Sequence, residues 1–156
     1  MADAADGSTL DLHPRTRAFI GGTWHDAEAG TFATTNPATG EEIAKVARCG
    51  APEVDAAVSA ARSAMDSPAW RHMDPHTRGE LLFRLADLIE ENGHELGTLE
   101  TMDNGKTFFE ARKIDVPSTA RTFRYFAGLT DKIFGRTIPV SGSFLNYTLR
   151  ELSLIH

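Results

Sequence analysis

Asp74-Pro75-His76-Thr77-Arg78-Gly79-Glu80-Leu81-Leu82-Phe83-Arg84-Leu85-Ala86-Asp87-Leu88-Ile89-Glu90-Glu91-Asn92-Gly93 is the stretch on which the fold turns. Asp74 is an N-cap residue type, whose carboxylate accepts from amides that a helix start leaves unpaired, and Pro75 at the first helical position sacrifices no hydrogen bond. Leu81, Leu82, Leu85, Ala86, Leu88 and Ile89 recur at three- and four-residue steps, which makes one face apolar, and Gly93 reads as the stop. Left partly uncovered, such a face is expected to favour association or a loosened core. Downstream, Glu95 to Asp103 predicts a helix with Leu96, Leu99 and Met102 aligned and Asn104-Gly105 closing it in a left-handed conformation. Thr107 to about Ile133 predicts another, bent or broken near Pro117, which removes a hydrogen bond and crowds the preceding turn.

Upstream, Val54, Ala57, Val58, Ala61 and Met65 keep the helical period, with Pro52 read at N1 and Glu53 and Asp55 in the first turn. Before residue 50 the period changes. Two short apolar runs flank Gly21-Gly22, and Thr31–Thr35 faces Glu42–Val46 across Asn36-Pro37-Ala38-Thr39-Gly40, so both pairs predict antiparallel hairpins. Near the other end Leu145, Tyr147 and Leu149 alternate with polar residues as a half-buried strand does. Residues 1–17 are rich in Ala, Asp, Gly and Ser without periodicity and are expected to be a disordered tail. The helices lie together between β segments instead of alternating with strands, and neither G-x-G-x-x-G nor a P-loop occurs. The expectation is an α/β chain of antiparallel hairpins plus a helix cluster, with a parallel nucleotide-binding sheet missing.

In the 156-residue sequence, 16 Lys and Arg against 22 Asp and Glu give a net charge of −6, with no basic stripe. Nucleic acid and membrane are therefore not expected as partners. The first residues contain no apolar signal core, no run is long enough to span a bilayer, and a single cysteine, Cys49, precludes an internal disulfide, so a cytoplasmic location is expected.

Several segments, taken in order, resemble the aldehyde dehydrogenase superfamily: Phe19-Ile20-Gly21-Gly22-Thr23-Trp24, Asn36-Pro37-Ala38-Thr39-Gly40-Glu41, and Val54-Asp55-Ala56-Ala57-Val58-Ser59-Ala60-Ala61-Arg62. The resemblance continues through Trp70-Arg71 to Arg78, Leu85 to Glu90, Glu100-Thr101-Met102-Asp103-Asn104-Gly105-Lys106, Phe123 to Gly128 and Asn146 to Glu151. It implies that residues 18–151 are the N-terminal part of that fold, with 142–151 an arm strand that pairs between subunits of a homo-oligomer. It also implies oxidation of a small-molecule aldehyde with NAD or NADP, through a cysteine thiolate, an oxyanion-holding asparagine and a water-activating glutamate. All of these match positions beyond residue 151, so no catalytic or cofactor-binding residue is assigned and the chain alone is expected to be inactive. Leu152–His156 is expected to be non-native: the resemblance stops at Glu151, and Leu-Ser-Leu-Ile-His is what a transposon-end adaptor encodes in frame. A different class of function stays open, a binding or regulatory module that associates with full-length subunits.

The resemblance also implies two incomplete sites. A sodium-type cation site would take the Asp103 carboxylate and the Thr35 carbonyl, hard oxygen ligands, with the remainder supplied later in the chain. Ile114, Asp115 and Ser118 would border a substrate tunnel, Ile114 and Ser118 being one helical turn apart. The plainer readings are a helix end at Asp103, core packing at Ile114 and solvated surface at Asp115 and Ser118. Cys49 has no nucleophile context, His72 and His76 lack a third ligand, and Asn146-Tyr147-Thr148 is a strand despite fitting a glycosylation sequon.

Overall fold

The computed structural model describes residues 14–150; the tail reading over 1–13 and the reading of 152–156 as non-native lie outside the described residues. β1 (Ala18–Ile20) pairs antiparallel with β2 (Thr23–His25), and Gly21 and Gly22 take φ of 59° and 85° between them. Two successive left-handed residues make the turn whose twist matches a hairpin, and only glycine adopts them without strain. β3 (Thr31–Thr35) pairs with β4 (Glu42–Ala47), with a bulge at Thr34/Thr35. Asn36 closes the intervening turn: its side chain accepts from Ala38 N at 2.9 Å and its carbonyl from Gly40 N at 2.7 Å. Ahead of β1, the Thr16 carbonyl accepts from Ala47 N at 2.8 Å, and Arg17 lies 2.8 Å from Asp26.

α1 (Ala51–Asp66) begins one residue earlier than the sequence reading placed it, so Pro52 is the second helical residue and Asp55 falls outside the first turn. The reason is Glu53, whose carboxylate folds back onto Gly50 N at 2.7 Å and fixes Gly50 as N-cap. A one-turn helix, α2 (Pro68–Arg71), was not foreseen; the Ser67 hydroxyl caps it by accepting from Trp70 N. α3 (Pro75–Glu91) starts as read, with Asp74 Oδ1 accepting from His76 N at 2.8 Å. It stops at Asn92 rather than Gly93, because the Asn92 side chain donates to the Leu88 carbonyl, and Gly93 instead begins α4 (Gly93–Asn104). Gly105, at φ 82°, closes α4 as expected.

The single helix expected from Thr107 to Ile133 is three pieces: α5 (Phe108–Glu110), a π-turn (Ala111–Asp115) and α6 (Val116–Ala127). The path changes directly before Pro117, which has no N–H to continue an α-helical ladder, and the helix ends at Gly128. The strand expected from alternation over Leu145–Leu149 shortens to β6 (Asn146–Tyr147). β5 (Thr137–Ile138), absent from the sequence reading, pairs with it along one edge.

The core is narrow and made of small residues. Ala86, Ala111, Ala120, Ala127 and Val116 are the buried apolar residues, whereas Leu81, Leu85 and Leu88 on the predicted apolar face of α3 are exposed. Gly79 and Ala86 lie two turns apart on α3, as do Ala120 and Ala127 on α6, and these small positions bring the two helices close. Arg124 then ties them together: its guanidinium binds both Glu90 oxygens at 2.8 Å and Asp87 at 2.7 Å. The pairing holds the Glu90 carboxyl below the usual carboxylate range, and Glu90 and Asp87 hold the Arg124 pKa above its ordinary value.

Candidate functional site

The two residue sets singled out in the sequence lie on either side of one helix end. Thr35 finishes β3 and is exposed; Asp103 is the penultimate residue of α4 and is also exposed. They are joined through Thr34, whose hydroxyl donates to Asp103 Oδ1 at 2.6 Å. Gly105 completes the junction: a Cβ added there would stand 2.8 Å from Pro37 Cγ, so this residue must be glycine both for its positive φ and for the close approach of the hairpin. The last carbonyls of α4 and the Asp103 carboxylate concentrate negative potential here, which suits a cation. Among the described residues, however, no three His, Cys, Asp or Glu side chains gather into a metal cage.

Beyond Gly105 the chain returns along α4. Thr107 caps α5, accepting from Glu110 N at 3.2 Å while its hydroxyl donates to the Glu110 carboxylate at 2.9 Å. Ile114 sits on the π-turn at 50% exposure, so it is not core within these residues. Asp115 is not free solvated surface: its Oδ2 takes a bond from Lys106 Nζ at 2.6 Å, and the same ammonium reaches Glu100 Oε1 at 3.1 Å. Asp115 and then Glu100 raise the Lys106 pKa, so the ammonium stays charged. Ser118 is exposed on α6, its carbonyl accepting from the Thr122 hydroxyl. Ile114 and Ser118 do not share one uninterrupted α-helical face, because the π-turn ends between them.

Lys106 and Glu100 carry no role legible in the sequence. A separation of nine residues across a cap, Lys106 to Asp115, is no helical spacing, and only the folded turn joins them. The sequence reading also left Glu53 as a first-turn charge. Glu53 in fact bridges two regions, accepting from Glu28 N at 2.8 Å as well as from Gly50 N, and these two backbone bonds, the Glu28 bond foremost, lower its pKa. Cys49 is a free, exposed thiol between β4 and α1. His72 ends α2, and His76 instead lies 3.6 Å from Glu80 within α3.

The described strands form three antiparallel pairs, with no parallel pair among them. No helix of the described residues is long and apolar enough to cross a membrane.

Comparison with known proteins places this arrangement. The aldehyde dehydrogenase family model matches residues 24–152. Mitochondrial aldehyde dehydrogenase of Rattus norvegicus is 48% identical over 136 residues, which cover 85% of this chain and 26% of that protein. Retinaldehyde dehydrogenase 3 of Mus musculus is 48% identical over 139 residues, covering 87% of this chain and 27% of its own length. Among solved structures, the NAD+ complex of an aldehyde dehydrogenase from Bacillus cereus superposes with a TM-score of 0.82 at 45% identity, covering 86% of this chain and 28% of that one. The chain thus spans about a quarter to a third of the length of the relatives it matches. With the family model matched over residues 24–152 and the fold superposing over 86% of its length, the chain belongs to the aldehyde dehydrogenase family.

Proposed function

We propose that this chain is the N-terminal segment of an enzyme that oxidises an aldehyde to a carboxylic acid with NAD or NADP, by way of a cysteine thiohemiacetal and thioester, and that works as a homo-oligomer in the cytoplasm. The observation that carries the reading is the likeness to the Bacillus cereus enzyme over 86% of this chain at 45% identity, an enzyme solved with NAD+. Within that enzyme the segment's task is positional. Ile114, Asp115 and Ser118 border the route of the aldehyde, and Asp103 with the Thr35 carbonyl forms part of a sodium-type cation site. The isolated chain is proposed to be inactive, because its one thiol, Cys49, is exposed on a connecting segment with no nucleophile context.

The test is a chimaera in which residues 24–150 replace the matching segment of the Bacillus cereus enzyme. NADH formation from aldehydes is expected from the chimaera and not from this chain alone. A folded chimaera that binds NAD+ but oxidises no aldehyde refutes the reading, as does turnover by the chain itself after Cys49→Ser. A second reading, a non-catalytic module that docks on full-length subunits, is favoured by the exposed Leu81, Phe83, Leu85 and Leu88 of α3. It requires a stable complex between this chain and the intact enzyme.

A further inference from the structure

Ala111 and Val116 are both buried, at 0% and 5% exposure, although they are five residues apart. In an uninterrupted α-helix Asp115, not Val116, would come round beneath Ala111. The π-turn resolves this: Val116 N donates to the Ala111 carbonyl, the turn holds one extra residue, and Ile114 and Asp115 ride outside. Pro117 discourages return to the α-helical register, because it has no N–H with which to bond the Lys113 carbonyl.

The widened turn is held along one stripe of α4, at Gly93, Gly97 and Glu100. At the two glycines the backbones come close. A Cβ on Gly97 would lie 3.2 Å from Arg112 Cα, and one on Gly93 would lie 3.3 Å from Val116 Cγ1. At Glu100 the link is Lys106, which spans the 2.6 Å bond to Asp115 and the 3.1 Å bond to Glu100 of α4. With about a third of each side chain exposed, this is a shared cation between two carboxylates, stronger than an isolated surface pair because one ordered ammonium serves both.

We propose that Lys106 is a positioning residue that pins the π-turn through Asp115 and thereby sets where the Ile114 side chain stands beside Ser118, which limits the apolar tail an aldehyde substrate can carry. This rests on the reading that Ile114 and Ser118 border the aldehyde's route. Lys106 touches no reacting atom. Its effect passes through the direction of the turn, so it should alter which aldehydes bind and leave the chemical step unchanged.

The test has two arms. In the full chain, Lys106→Met is expected to speed amide exchange at Val116 about fivefold, the upper range for losing a partly exposed ion pair, while Lys106→Arg, which keeps the cation, changes it less than about twofold. In the chimaera, Lys106→Met should raise KM for a long-chain aldehyde several-fold, with kcat and the KM for acetaldehyde unmoved, and Lys106→Arg should restore it. Unchanged exchange at Val116 in Lys106→Met overturns the inference. Faster exchange with no separation between long and short aldehydes also overturns it, since the pinned turn then does not face the substrate. An inactive chimaera counts against the proposed function, and Val116 exchange alone then decides whether Lys106 pins the turn.

Discussion

Gly79→Ala should loosen the contact of α3 with α6 although alanine is the better helix former. Gly79 is buried, and a Cβ built there stands 2.9 Å from the Ala127 carbonyl oxygen and 2.9 Å from Thr130 Oγ1. Ordinary contact begins near 3.4 Å, so the helices must separate by about half an ångström. One of the opposing atoms is backbone and already accepts from the Thr130 hydroxyl at 3.1 Å, so it cannot swing aside as a flexible side chain would. Overpacking of this kind costs about 2–3 kcal/mol, the upper half of the usual range, and the gain in helix propensity returns only about 1 kcal/mol. The net loss of about 1–2 kcal/mol corresponds to amide exchange in α3 and α6 faster by roughly 5- to 30-fold. Gly97→Ala is the matched comparison. Its added Cβ meets Arg112 at 3.2–3.3 Å, a shortfall small enough for a cost of about 1 kcal/mol that the propensity gain offsets, so exchange should change little. Exchange rates measured residue by residue decide the matter. If Gly79→Ala protects α3, or if Thr130→Ala restores full protection to it, the carbonyl contact does not set the helix separation and the reasoning fails.

Other outcomes follow from the ties between elements. Glu53 is held below the ordinary glutamate pKa by its bonds from Glu28 N and Gly50 N, so its folded state binds fewer protons than its unfolded state. Its contribution is therefore present above the ordinary glutamate range and is lost as the pH falls through the lowered folded value; Glu53→Gln should flatten the acid limb of a denaturation curve, and an unaltered limb counts against it. Gly135→Ala should abolish the β5–β6 ribbon, because the added Cβ would overlap the Thr148 carbonyl oxygen; retained cross-strand exchange protection at Thr148 N contradicts this. Arg124→Lys, which cannot reproduce the two parallel bonds to Glu90, should raise exchange in α3 and α6 although the charge is kept, and equal rates argue that only charge matters there. Light scattering from the purified chain should reveal association driven by Ile133, Phe134, Phe144 and Leu145, all at least 69% exposed; a clear monomeric solution with a sharp melt refutes that expectation.

Much of the fold was legible because its determinants are local. Gly21-Gly22, Asn36 to Gly40, Asp74-Pro75 and Asn104-Gly105 each impose a backbone geometry within a few residues, and each turn, cap or helix start formed where it was read. What was misread depends on partners far along the chain. The apolar periodicity of α3 marks a leucine face that is expected to stand partly uncovered in this chain, and Leu81, Leu85 and Leu88 are exposed; what periodicity does not show is that close approach to α6 runs through Gly79, Ala86, Ala120 and Ala127. Pro117 signalled an interruption, but periodicity could not distinguish a kink from a π-turn, since the choice depends on packing Ala111 and Val116 together beneath Gly93 and Gly97. β5 was invisible for a different reason: two residues carry no period.

The candidate site divides along the same line. Asp103 and Thr35 could be named from their segments, and Ile114, Asp115 and Ser118 likewise, but nothing local says that Thr34 would link the first pair or Lys106 the second group to α4. Both links meet at α4, Asp103 near its C-terminal end and Glu100 one turn earlier. A displacement of that helix would therefore move the bulged end of β3 and the outer face of the π-turn together. Gly105 fixes this shared pivot, since its left-handed backbone and its contact with Pro37 leave no room for a side chain. The polar residues of this segment thus act through geometry: they set where two edges of one helix stand, and the helix holds both edges in a single frame.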